Sequence, residues 1–227
     1  YSKIKAATSL FVYSGHNTEL LTLINKFKPD IAHCNNIYPL ITTNVYSLLS
    51  QQNIPIVQSI HNYRLFCPKG ILFRDNKICE QCTLMQFPFP SMLHSCYQSS
   101  FLGSAVVGTK MFFDKITHQY EKISHFIFPS RFFQEYYCNR LPFIKAKSSI
   151  IPYYVSDTLY RKKEGYFLYA GRLSEEKGVL ELLKIVKELP SIPFKVIGDG
   201  PLRNEVRAFT KFPNISVYRS MSRKKLL

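Results

Sequence analysis

The chain has 227 residues, room for one large domain or two small ones, and its 46% hydrophobic against 20% charged residues provides a packed core and excludes wholesale disorder. Thirty Lys and Arg against fifteen Asp and Glu leave a net charge of +15, which calls for an anionic partner: nucleic acid, a phosphate-bearing small molecule or an acidic membrane surface.

In chain order, Leu20, Leu23, Ile24 and Phe27 form a helical stripe, and Val45, Leu48 and Leu49 a second. Ile54–Ile60 is the first near-continuous apolar run, followed by His125–Pro129, Tyr166–Ala170, Phe194–Ile197 and Ile215–Tyr218. Runs of this kind, bounded by Gly, Pro or polar residues, are how strands buried on both faces of a parallel sheet read. Val179, Leu182, Leu183 and Val186 form a third stripe, with Glu181, Lys184 and Lys187 facing out. Strand–helix–strand alternation predicts α/β architecture with two doubly wound, Rossmann-like domains. Pro152, Ser156, Asp157, the basic run Arg161-Lys162-Lys163 and Gly165 interrupt the periodicity, so we place the domains at 1–155 and 156–227. Only five carboxylates (Glu19, Asp30, Asp75, Glu80 and Asp114) precede residue 121, which makes carboxylate-pair chemistry hard to build in the first domain.

Four constellations carry chemistry. Tyr169–Gly178 ends a strand at Gly171 and opens a helix near Ser174, with Ser174 as its cap; Arg172 and Lys177 then flank a helix N-terminus, where free N–H groups and the dipole favour anions such as a diphosphate. The plainer alternative is a strand–turn–helix with two solvated cations. Gly198-Asp199-Gly200 resembles the opening of a dinucleotide fingerprint, with Arg203 in place of the third Gly, and equally a tight turn capped by Asp199 and started by Pro201. His61 follows a buried strand, at the end where α/β sheets keep their ligands, although a lone His is usually structural. Cys67, Cys79, Cys82 and Cys96, at intervals of eleven, two and thirteen residues, fit either a tetrahedral thiolate Zn²⁺ site, with His94 as a substitute ligand, or four buried free thiols. With no signal pattern ahead of them, a disulfide framework is the weaker reading.

In order along the chain, these segments resemble the GT-B retaining glycosyltransferases of family 4. Lys28–His33 resembles that family's "PDVVH" strand, and Asn36–Leu40 follows as in many members. Ile60–Pro68 is similar to the "LHDYRLLCP" segment of one subgroup, which also carries a "CERC"-like pair, here Cys79 to Cys82, and a later "HxCY", here His94–Tyr97. Phe128-Pro129-Ser130 and Ile150–Val155 resemble "xPS" and "VIPNGV", the latter with Tyr153-Tyr154 in place of Asn-Gly. Gly171–Gly178 and Gly198–Leu202 match "GRLSxEKG" and "GDGPL" closely.

The resemblance implies a two-domain GT-B enzyme that moves a sugar from a nucleotide-sugar donor to an acceptor hydroxyl with retention, in glycan or polysaccharide biosynthesis. Arg172 and Lys177 would neutralise the donor diphosphate; Gly171, Gly198, Asp199 and Gly200 would form the donor-site turn; His61 would lie beside the sugar as the catalytic-site residue. No D-x-D motif is present, which fits metal-independent transfer. Expected partners are the donor, a glycan or lipid-linked acceptor and, through the basic surface, anionic lipid at the inner membrane face. No nucleic acid is expected, since the basic residues are spread out and no nucleic-acid motif occurs. Any metal would be structural Zn held by the cysteines of an insertion spanning about 67–96. With no signal pattern and no apolar run of the roughly 18 residues that span a bilayer, a cytoplasmic location is expected. The family's downstream Glu pair and its opening Gly-rich loop are both missing, so the chain reads as a fragment truncated at both ends. The rival readings are an inactive glycosyltransferase remnant and a Zn-containing nucleic-acid-binding protein.

Overall fold

Parallel strands joined by helical crossovers organise the whole computed structural model, which describes residues 15–38, 41–154 and 165–222. The chain runs α1 (Gly15–Phe27), β1 (Ala32–Cys34), α2 (Asn44–Gln51), β2 (Ile56–Ser59), a hairpin of β3 (Phe73–Arg74) and β4 (Lys77–Ile78), α3 (Phe89–Leu93), α4 (Phe101–Ile116), β5 (His125–Phe128), α5 (Arg131–Arg140) and β6 (Ser148–Ile150). It continues with β7 (Phe167–Ala170), α6 (Val179–Val186), β8 (Phe194–Ile197), α7 (Arg203–Arg207) and β9 (Ile215–Tyr218). One sheet has the order β1-β2-β5-β6 and another β7-β8-β9, every pair parallel. This is the Rossmann-like α/β class expected from the apolar runs. Two compact units divide at Tyr153 and Tyr154, with hairpin residues Asp75–Lys77 grouped with the second. The expected boundary at 155/156 lies outside the described residues, as do Arg161–Lys163, Pro39, Leu40 and the terminal Arg223–Leu227.

In the first unit aromatic rings pack within a largely aliphatic core. Phe126, Phe128, Tyr137 and Ile144 have no exposed surface. Tyr137, on α5, packs on Phe66, Phe128 and Phe133 and donates its hydroxyl proton to the Asn62 carbonyl at 2.6 Å. That bond satisfies a buried polar group and pins the loop after β2. A second tie is ionic. Lys110 and Asp114, 4% and 1% exposed, pair along α4, while Asp114 accepts from Tyr38 Oη at 2.8 Å and Thr43 Oγ1 at 2.6 Å. Lys110 also donates to Thr43, so a buried charge pair fastens α4 to the segment after β1.

Two expectations need correction. Leu23 and Phe27 are 49% and 69% exposed; α1 meets the core through Ile24, with Leu20 and Leu21 half-buried, so its apolar stripe is shifted from the one the spacing implies. The helix α4 has no counterpart among the expected elements, because Gly103, Val106, Val107, Gly108 and Thr109 are poor helix formers. Ser100 caps it by accepting from the Gly103 amide at 3.1 Å, and its Lys110–Asp114 pair is held by tertiary contacts invisible to local propensity.

Candidate functional site

At the carboxyl ends of β1 and β2 the structure joins three polar side chains. His61 follows β2, Asn35 follows β1 and Tyr153 follows β6. His61 Nε2 lies 3.0 Å from Asn35 Oδ1, and Nδ1 meets the Tyr153 hydroxyl, with the two rings stacked at 5.7 Å between centroids. An amide oxygen only accepts, so the ring proton belongs on Nε2 and Nδ1 accepts from Tyr153. The imidazole itself is exposed. Beside it a small cavity is lined by Asn35, Tyr38, Gln58, Asn62 and Arg64. Sequence reasoning singles out His61 but neither partner. The visible signals are the polar pair Asn35-Asn36 directly after an apolar strand and the substitution of Tyr153 for Asn. A larger cavity of about 280 Å³ in the same unit, lined by Phe66, Lys115, His118, Arg140 and Phe143 among others, contains none of the residues expected to act on a donor or acceptor.

In the second unit the two glycine motifs fold as a single piece. The Gly171 amide donates to the Ile197 carbonyl at 3.0 Å, the Leu173 amide to the Asp199 carbonyl at 2.9 Å and the Leu202 amide to the Leu173 carbonyl at 3.0 Å. The glycines follow from this packing. A Cβ on Gly198 would sit 1.9 Å from the Gly171 oxygen, and one on Gly200 2.3 Å from the Leu173 oxygen. Thus the close approach that excludes a side chain is that of the neighbouring loop. The Asp199 carboxylate accepts from the Gly200 amide at 2.8 Å, and Arg203 donates to the Gly198 carbonyl at 3.0 Å.

The helix starts differ from expectation. Residues Glu175–Lys177 form a 3-10 turn, and α6 begins at Val179 after Gly178, whose φ of 63° is left-handed. Ser174 does not cap it; its hydroxyl donates to Glu176 Oε1 at 2.6 Å. Likewise α7 starts at Arg203, two residues beyond Pro201, with Leu202 in the cap position. Before α6 the 3-10 turn and left-handed Gly178 occupy the positions where the helix is expected to open. Arg172 and Lys177 are both exposed, and their charges reach Glu176. Burial alone would raise that carboxyl; the Ser174 hydroxyl, its own backbone amide and the charges of Arg172 and Lys177 outweigh it and hold Glu176 below the usual carboxylate range. Both charges are thus felt at Glu176, near the turn that follows β7.

Cys67, Cys79, Cys82 and Cys96 line one small cavity together with Lys69, Leu72, Phe73, Arg74 and Ser91; His94 does not line it. All six cysteines of the chain are free thiols. Burial first, then the neighbouring Cys67, pushes the Cys82 thiol up to about 11. The sulfurs are not preset as a coordination sphere: among the described residues no three His, Cys, Asp or Glu side chains are grouped so as to hold an ion. Also among the described residues, no helix is long and apolar enough to cross a membrane.

No protein-family model matches the chain, and no curated protein matches it by sequence. Solved structures do share its fold. The crystal structure of an S. aureus TarM mutant in complex with fondaparinux, alpha-GlcNAc-glycerol and UDP aligns with a TM-score of 0.51 at 12% identity, over 88% of this chain and 36% of that one. A glycosyltransferase from Rickettsia africae aligns with a TM-score of 0.50 at 12% identity, over 91% of this chain and 51% of that one. The chain thus spans about a third to a half of the length of these structures. At such identity the likeness concerns the fold.

Proposed function

We propose that the chain is part of a retaining GT-B glycosyltransferase of family 4, which moves a sugar from a nucleotide-sugar donor to an acceptor hydroxyl in glycan or polysaccharide biosynthesis, without a catalytic metal. The observation that carries this reading is the fusion of the Gly171–Gly178 and Gly198–Leu202 motifs into one piece at the carboxyl ends of β7 and β8, with Arg172 and Lys177 exposed beside it. The carboxyl edge of a parallel sheet is where nucleotides bind in this fold class. The fold shared with the Rickettsia glycosyltransferase, and with a TarM structure holding UDP, supports the same reading.

In the proposed reaction the bond between the anomeric carbon and the diphosphate oxygen breaks. The acceptor oxygen bonds that carbon on the face the diphosphate leaves, and the hydroxyl proton departs with the diphosphate. Arg172 and Lys177 stabilise the negative charge that develops on the leaving group, which is what a fixed cation contributes to such a step. The rigid Gly198–Gly200 turn offers backbone to the donor's nucleotide end. His61 positions sugar or acceptor. An incoming hydroxyl would take the place of the Tyr153 phenol on Nδ1, while Asn35 keeps the ring oriented through Nε2. Peripheral contact with anionic lipid, and hence a lipid-linked acceptor, rests on the net charge of +15 alone. The test is a panel of nucleotide sugars offered to the intact protein, read by release of UDP or GDP. Release with one donor class supports the reading, and none with any donor rejects it.

A further inference from the structure

We propose that Cys67, Cys79, Cys82 and Cys96 bind a structural Zn²⁺ ion in the cavity they share, and that this ion holds the segment between β2 and α4 in shape. The assignment is independent of the sugar-transfer reading. It starts from placement. The four thiols come from three stretches of backbone, and each stretch is fixed by its own hydrogen bond: the Cys67 amide donates to the Tyr63 carbonyl at 2.9 Å, that of Cys79 to Leu72 at 2.9 Å and that of Cys96 to Ser91 at 2.9 Å. The turn between Cys79 and Cys82 is anchored by Glu80, which accepts from the Tyr136 hydroxyl at 2.6 Å and pairs with Arg140 at 2.9 Å. Four thiols from three stretches thus line one cavity, whereas Cys34 and Cys138 lie in or against the hydrophobic core of the first unit.

The segment has little regular structure of its own. Its strands β3 and β4 are two residues each, and Ile78 and Leu84 are 82% and 86% exposed. Leu72, Asp75, Asn76, Ser95, Gln98 and Ser99 all take left-handed backbone. Such conformations persist in non-glycine residues when the surroundings over-determine them. Leu72 is buried against the thiol cavity itself, so the strained backbone and the thiols meet at one place.

The charge of the cavity suits the ion. Zn²⁺ with four thiolates carries two net negative charges. No carboxylate lines the cavity, and two cations, Lys69 and Arg74, do; Arg74 hydrogen-bonds Cys96. Because His94 lies outside the lining, the ligand set is the four thiols. They leave no open position for substrate, which makes the ion structural. Among the described residues the side chains are not grouped so as to hold an ion, so binding requires the four thiols to turn into the cavity they already line.

Intact protein purified without chelator should contain about one equivalent of zinc. Replacing it with Co²⁺ should give the absorption of a tetrahedral thiolate site. Alkylation followed by mass spectrometry should show Cys67, Cys79, Cys82 and Cys96 protected by zinc and exposed by chelator, with Cys34 and Cys138 indifferent to both. Cys82→Ser should lose the ion and Cys138→Ser keep it. Wild-type protein supplies the first three readouts, and these decide the question even where Cys82→Ser fails to fold. Protein that takes up neither metal, with the four thiols alkylating equally with and without zinc, overturns the proposal. A disulfide between any two of the four in the purified protein also overturns it.

Discussion

The two sheet ends are built in opposite ways. In the first unit, side chains make the site: His61 is held by Asn35 and Tyr153, and the loops that carry His61 and Asn35 are fastened by the Tyr137 bond and the buried Lys110–Asp114 pair. In the second unit, backbone makes the site, and glycines at 198 and 200 let two loops interlock with no room for a Cβ. A site shaped by backbone keeps its form when the side chains around it change, even those that contact the ligand, but not when its glycines do. A site made of side chains depends on partners scattered through the sequence.

The largest effect expected from this contrast is in the first unit. Removing one member of a buried ion pair leaves the other charge uncompensated, at a cost of about 3–5 kcal/mol. Asp114→Ala should therefore destabilise the intact protein by that much in denaturant titration, whereas Glu135→Ala, exposed on α5, should leave the midpoint in place. Next comes Gly198→Ala. A Cβ 1.9 Å from a backbone oxygen forces the two loops apart. Overpacking of this kind costs about 1–3 kcal/mol, and here it should abolish nucleoside-diphosphate binding as well. A Gly198→Ala protein of unchanged stability and affinity would show that the interlocked loops are not what shapes the site.

Legibility divides along the same line. The glycine motifs stand out because a backbone requirement selects glycine at fixed spacing, and the parallel strands because they are short apolar runs, although β7 and β9 are largely exposed rather than buried on both faces. His61 is legible from its place after an apolar run. Its partners are not, since Asn35 and Tyr153 lie 26 and 92 residues away and only the folded sheet brings them together. The helix Phe101–Ile116 is hidden for a similar reason: it contains poor helix formers, and its Lys110 and Asp114 are held by Thr43 and Tyr38 from another segment. The sequence pattern puts the start of α6 too early because a 3-10 turn and a left-handed glycine intervene before it.

A smaller effect separates chemistry from binding in the first unit. His61→Ala should lower turnover while leaving nucleotide affinity unchanged, and Tyr153→Phe should change the acceptor KM more than kcat, because it frees Nδ1 without removing the ring. Equal turnover in wild type and His61→Ala would remove His61 from the site. The smallest effect is in the second unit. The Glu176 carboxyl is depressed, so its contribution to stability is present above the ordinary carboxylate value and is lost as pH falls through the lowered folded one. An NMR titration should find Glu176 still ionised at a pH where a free glutamate carboxyl is protonated, and Arg172→Ala should bring its midpoint closer to the ordinary value.

The central claim is that Arg172 and Lys177 receive a diphosphate. Calorimetric titration of the intact protein with UDP and GDP, repeated on Arg172→Ala and Lys177→Ala, tests it most directly. Losing a hydrogen bond to a charged group costs about 1.5–3 kcal/mol, so each variant should bind the preferred nucleotide on the order of 10- to 100-fold more weakly. Affinities indistinguishable from wild type in both variants would contradict the account.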